Sequence, residues 1–112
     1  NVVIHEFAHK LDMLGGMIDG TPPMPDEQRE QWIAVCTREY TALREGAEDP
    51  LLRDYAATDT GEFFAVASEV FFDRPTDLAL LKPDLYAVLH DYYQCDPAAR
   101  RLRPICEDRF RA

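Results

Sequence analysis

Two of the three histidines in this chain stand four positions apart around a glutamate, in His5-Glu6-Phe7-Ala8-His9. On a helix, side chains at i and i+4 share a face, so both imidazoles can reach one divalent ion. The glutamate between them can then reach a water held at that ion and take its proton. These residue types at this spacing point to metal-assisted hydrolysis of the metallopeptidase kind. His5 and His9 are therefore expected as metal ligands, and Glu6 as the general base.

The neighbouring residues suit a helix. At roughly 100° per residue, with His5 at zero, His9 falls near 40°, Glu6 near 100° and Asp12 near −20°. Val3, Ile4, Phe7, Leu11 and Leu14 occupy the opposite arc, so burial is expected there and chemistry on the other face. Asp12 lies one turn beyond His9 on the chemical face. It can orient a ligand histidine through the free ring N–H, or make a contact at the helix end.

A catalytic zinc usually takes three protein ligands and keeps a fourth position open. The metzincin arrangement needs Gly three residues after the second His and another His three beyond that; Asp12 and Gly15 occupy those places. The remaining histidine, His90, stands among Tyr86, Tyr92 and Tyr93 and reads as structural. A glutamate on a second, buried helix is the other solution. Glu62 and Glu69 both qualify, seven residues and about 10.5 Å apart along a helix axis. Glu62 also fits a capping box with Asp59, and Glu69 fits a carboxylate paired with an Arg or with a ligand histidine. Spacing alone leaves the choice between them open.

The elements that must position these groups are almost all helical. A first helix runs to about Met13 and stops at Gly15-Gly16, followed by a loop with Gly20 and Pro22-Pro23. A second spans Asp26 to Glu45, with Trp32, Cys36, Tyr40 and Leu43 as its apolar stripe. A polar connection, Gly46 to Thr60, holds Asp54-Tyr55-Ala56-Ala57. The third helix, Gly61 to Asp73, is apolar enough to be central, and Arg74-Pro75 ends it. Short helices follow over Thr76–Leu81 and Pro83–Gln94. The reading is one mainly α domain over 1–112: the metal-binding helix (1–13), a connection with its helix (14–60), a glutamate-bearing helix (61–73) and C-terminal helices (76–112).

Composition narrows the function classes. With 112 residues and a net charge of −9, the chain is one domain in size and ill suited to non-specific nucleic-acid binding. The Arg-rich tail (Arg100, Arg101, Arg103, Arg109, Arg111) reads as a solvated end. No apolar run reaches the length of a membrane span, and no signal peptide is visible. Cys36, Cys95 and Cys106, odd in number and widely spaced, suggest reduced thiols in a cytoplasmic protein. A start without Met, inside a helix, suggests a fragment of a longer chain.

His5-Glu6-Phe7-Ala8-His9-Lys10-Leu11-Asp12, Asp54-Tyr55-Ala56-Ala57 and Glu62-Phe63-Phe64-Ala65-Val66-Ala67-Ser68-Glu69 together resemble the Mlc titration factor A family of bacterial zinc peptidases. These are gluzincins whose catalytic part is similar to that of anthrax lethal factor. The resemblance covers Asn1 to about Pro97. It implies the helical catalytic half of a zincin-like domain, one Zn2+ per chain, and a third ligand seven residues after a tyrosine. Tyr55 and Glu62 have that spacing. The resemblance thus assigns Glu62 to the metal, Tyr55 to catalysis by hydrogen bonding to an oxyanion, and Glu69 to a supporting place. It also implies a peptide or protein substrate, a region before the metal-binding helix that is missing here, and sequestration of a transcriptional repressor, Mlc, as an alternative function.

Overall fold

The computed structural model describes residues 2–14 and 20–99. Among the described residues five α-helices run in chain order: α1 (Val2–Met13), α2 (Asp26–Arg44), α3 (Thr60–Asp73), α4 (Pro75–Leu81) and α5 (Pro83–Tyr93). Two 3-10 turns, Asp54–Ala57 and Pro97–Ala99, complete the regular structure, and no strand occurs among the described residues. The domain is mainly α, as the helical periodicity predicts. Boundaries agree with expectation to within a residue at most ends, because the punctuating residues act locally. Pro75 and Pro83 open α4 and α5 at the first helical turn, where a missing N–H costs nothing. Gln94 closes α5 in the left-handed region at φ 58°, returning its N–H to His90 O at 2.9 Å.

Helix α3 is the centre. Asp59 caps it, accepting the Glu62 N–H at 2.8 Å, and Phe63 through Ser68, Val70 and Phe71 are then buried in nearly unbroken sequence. Such a run leaves no solvent face in the helix middle, so other elements must surround it. Trp32 of α2 packs edge-on to Phe64 (centroids 5.4 Å apart) and Tyr92 (5.6 Å), and Tyr93 stacks on Phe71 at 5.7 Å. The buried Ser68 and Tyr93 hydroxyls satisfy each other at 2.7 Å.

One expectation holds only in part. Of the arc of α1 assigned to burial, Leu11 is buried and Ile4 half-buried, while Val3 (76%), Phe7 (42%) and Leu14 (73%) are exposed. Ala8 is buried as well, and the face carrying the histidines meets Glu62 of α3. Periodicity identifies a face able to be buried. The direction of packing follows from His5 and His9, whose polar partners all lie on α3.

Gly20 ties α1, α2 and α3 together. Its N–H is accepted by both Asp12 oxygens (3.1 and 2.9 Å), and its carbonyl accepts the Trp32 Nε1–H at 3.0 Å. At φ +80° a side chain is strained, and a Cβ here would stand 2.3 Å from Thr60 O. The 46–60 connection is pinned by Asp49, whose Oδ1 accepts the Leu51 and Leu52 N–H groups at 2.8 Å each. Its Oδ2 meets Lys82 Nζ at 2.7 Å, and Lys82 also reaches Glu39 at 2.6 Å. This clasp joins α2, the connection and the α4–α5 junction.

The cysteine expectation needs correction. Cys36 is a free thiol, pushed up to about 12 by burial and by the charge of Glu39. Cys95 is disulfide-bonded; sequence spacing does not report proximity in the fold. The Gly15-Gly16 stop and the Arg-rich tail also lie outside the described residues.

Candidate metal centre

Three elements converge on the site. α1 presents His5 and His9 one turn apart, their rings edge to face with centroids 4.9 Å apart. The capped first turn of α3 presents Glu62. The 3-10 turn 54–57, closed by the Ala56 N–H donating to Arg53 O at 2.8 Å, presents Tyr55.

Glu62 is the hub. Its Oε1 lies 3.0 Å from His5 Nε2 and 2.7 Å from His9 Nε2, while its Oε2 accepts the Tyr55 hydroxyl at 2.8 Å. Partial burial acts to raise the Glu62 carboxyl, but the hydrogen bonds from Tyr55, His9 and His5 and the His9 charge outweigh it, holding the group below its ordinary value. The Tyr55 phenol moves the opposite way, raised by its hydrogen bond to Glu62 and by that carboxylate's charge. The two shifts share one contact, the hydrogen bond from the Tyr55 hydroxyl to the Glu62 carboxylate.

Glu69 meets the same histidine from its other side. Its Oε1 lies 2.5 Å from His5 Nδ1 and 2.8 Å from an Arg53 guanidinium nitrogen. His5 thus lies between two carboxylates, Glu62 at Nε2 and Glu69 at Nδ1. A carboxylate on the far ring nitrogen fixes ring orientation and raises the basicity of the near one, as expected around a metal-binding histidine.

Asp12 lies elsewhere than its helical angle suggests. It is fully buried, with both carboxylate oxygens on the Gly20 N–H; Glu69 is the carboxylate found at the His5 Nδ1. The angle places Asp12 on the right face, but a full turn beyond His9 it meets the returning loop. His90 stands apart from the cluster. Its side chain is 44% exposed on α5, with Nδ1 3.3 Å from Asp91.

The donor set suits a divalent metal. One ligand atom each from His5, His9 and Glu62 lies within 4.8 Å of the other two, the one such group among the described residues. Ligands at about 2.0–2.2 Å from a tetrahedral ion stand roughly 3.3 Å apart, slightly wider than the carboxylate–imidazole distances here. Two imidazoles and one carboxylate form the mixed N/O set of a catalytic rather than a closed structural site.

Beside the cluster opens a cleft of about 280 Å3, lined by Val2, His5, Glu6, Arg53, Tyr55 and Glu69. Glu6 is exposed there, and Tyr55 is 48% exposed with its ring 6.0 Å from that of His5. Arg53 is the member that sequence reasoning missed. The available signal is weak: a cation two residues before Tyr55, in a chain where an Arg is one of the two partners open to Glu69.

Comparison with known proteins bears on this geometry. The chain is 40% identical over 103 residues to an uncharacterized protein of Synechocystis sp., covering 87% of this chain and 37% of that protein. It is 38% identical over 106 residues to Mlc titration factor A of Edwardsiella ictaluri (89% and 41%). It is 40% identical over 109 residues to Mlc titration factor A of Serratia proteamaculans (92% and 42%). The chain therefore spans about two-fifths of the length of these curated relatives. Residues 1–94 match the family described as glucose-regulated metallo-peptidase M90, a description that implies a metal. On a match that covers His5, His9 and Glu62, the cleft and the whole of α3, the chain belongs to the M90 metallo-peptidase family.

Proposed function

We propose that this chain carries the catalytic centre of a zinc-dependent peptidase, with His5, His9 and Glu62 holding the ion. The observation that supports this most is the meeting of these three residues at one point with Glu6 and Tyr55 in the adjoining cleft. When bound, zinc supplies Lewis acidity, lowering the pKa of water and polarising the scissile carbonyl. Glu6, the open carboxylate of the cleft, takes the water proton as the oxygen attacks the carbonyl carbon. It returns that proton to the amine as the C–N bond breaks. Tyr55, half exposed and with its hydroxyl on Glu62, turns that O–H to the oxyanion of the tetrahedral intermediate. Glu69, held by Arg53, fixes the His5 ring.

The test is Glu6→Gln. Zinc should remain near one per chain while peptide hydrolysis is lost; retained hydrolysis would remove Glu6 as the base. A second reading rests on relatives named Mlc titration factor A, in which the chain binds a transcriptional repressor and the metal centre is secondary. Repressor binding that is indifferent to Glu6→Gln, in a chain that cleaves no peptide, would favour it.

A further inference from the structure

A second concavity of about 310 Å3 runs along α3 beyond the metal cluster. Leu51, Val66 and Val70 form its apolar floor, with the exposed Pro50 at its rim and Asp73 and Arg74 also lining it. Arg53 and Glu69, which line the catalytic cleft, line this groove as well. The two concavities are therefore neighbours across a single ion pair, with the Arg53 nitrogen 2.8 Å from Glu69 Oε1. Glu69 is held from both sides, by Arg53 and His5. The Arg53 side chain is 58% exposed above it and offers further N–H donors at the junction.

The lengths match an extended peptide. At about 1.5 Å per residue along α3, Val66 lies roughly 6 Å and Val70 roughly 12 Å past Glu62. An extended chain advancing about 3.3 Å per residue covers those distances in about two and four residues. We infer that the groove over Leu51, Val66 and Val70 is a substrate subsite of the same centre. It would receive an apolar side chain two to four residues from the bond being cut, while Arg53 donates to a backbone carbonyl of the peptide as it crosses the ion pair. Continuity through Arg53 and Glu69 selects a peptide over a free small molecule, and the apolar floor of Leu51, Val66 and Val70 selects the side chain. The inference rests on the peptidase reading for its register, and on the groove alone for its preference.

The experiment uses zinc-loaded chain with fluorogenic octapeptides that differ only in Leu or Ser at each position two to four residues from the scissile bond, on either side, together with a dipeptide amide too short to reach the groove. Binding of the same octapeptides to Glu6→Gln chain is read by fluorescence anisotropy. Leu should exceed Ser by about tenfold or more on one side of the bond, in kcat/KM and in affinity. Pro50→Trp, which fills the groove from its exposed rim, should abolish that difference and leave the dipeptide amide unchanged. Pro50→Ser should fold equally well and keep the preference. Equal treatment of Leu and Ser, or a Pro50→Trp loss shared by the dipeptide amide, overturns the subsite. So does a dimer of this chain that Pro50→Trp dissolves, since a second copy would then be the occupant. Cleavage without preference removes the groove and spares the peptidase reading. Leu-dependent, Pro50→Trp-sensitive binding without cleavage removes the peptidase reading and spares the groove.

Discussion

Replacing Asp12 with Ala separates two roles that helical geometry alone allows for it. In the structure the carboxylate is fully buried and receives the Gly20 N–H on both oxygens. Truncation removes a charge-assisted hydrogen bond worth about 1.5–3 kcal/mol and leaves the Gly20 N–H without this acceptor. Gly20 also receives the Trp32 indole N–H, so the loss extends to the α1–α2 contact. A total of about 2–4 kcal/mol follows, or a fall in Tm of roughly 10 °C for a domain of this size. Zinc stabilises whatever binds it, so the unfolding free energy is read in urea on metal-free protein. Zinc affinity is read separately, by chelator competition. The expected result is a large stability loss with zinc affinity within about threefold of the parent. A loss under about 1 kcal/mol, combined with a tenfold or greater fall in zinc affinity, would show that Asp12 serves a histidine and that the Gly20 latch is incidental.

Gly20→Ala should be more damaging than a glycine substitution in open space. The new Cβ meets Thr60 O at 2.3 Å in a left-handed conformation, and a loss of about 3 kcal/mol or more is expected by urea unfolding; Gly46→Ala, with nothing within 4 Å, should cost only the conformational strain. Lys82→Met should lose about 2 kcal/mol at neutral pH and reshape the pH profile of stability. Burial acts to raise Asp49, but the Lys82 hydrogen bond and the Leu52 and Leu51 N–H groups outweigh it and lower the carboxyl; its contribution is complete above about pH 4 and is lost as pH falls through the depressed folded value. Burial acts to lower Lys82, but Asp49 and Glu39 outweigh it and raise the ammonium; its contribution is present below about pH 10 and is lost as pH rises through the folded value. Glu69→Gln should weaken zinc binding by about 10–100-fold in chelator competition, through the His5 Nδ1 contact; unchanged affinity would remove Glu69 from the support of the metal.

The helices and the shared face of His5 and His9 were legible in the sequence because their determinants are local. Asp59 caps α3, Pro75 and Pro83 open helices, and His5 and His9 need only four residues of spacing to share a face. The choice between Glu62 and Glu69 was not legible, for a physical reason. Imidazole has two ring nitrogens, and the structure sets one carboxylate against each of those of His5. Both glutamates therefore satisfy any criterion based on helical phase. Arg53 was invisible because its place depends on how Asp49 ties down the 46–60 connection, a turn with no apolar period to betray it. The exposed arc of α1 escaped for a related reason: hydrophobicity marked Val3 and Phe7 as burial candidates, while the histidines chose the face that meets α3.

The most direct test of the central claim is anomalous diffraction at the zinc edge from zinc-loaded crystals of the chain. One strong peak is expected, about 2.0–2.2 Å from His5 Nε2, His9 Nε2 and a Glu62 oxygen, with Glu69 still on His5 Nδ1. A peak bound by Glu69 in place of Glu62, or zinc found only away from this cluster, would contradict it.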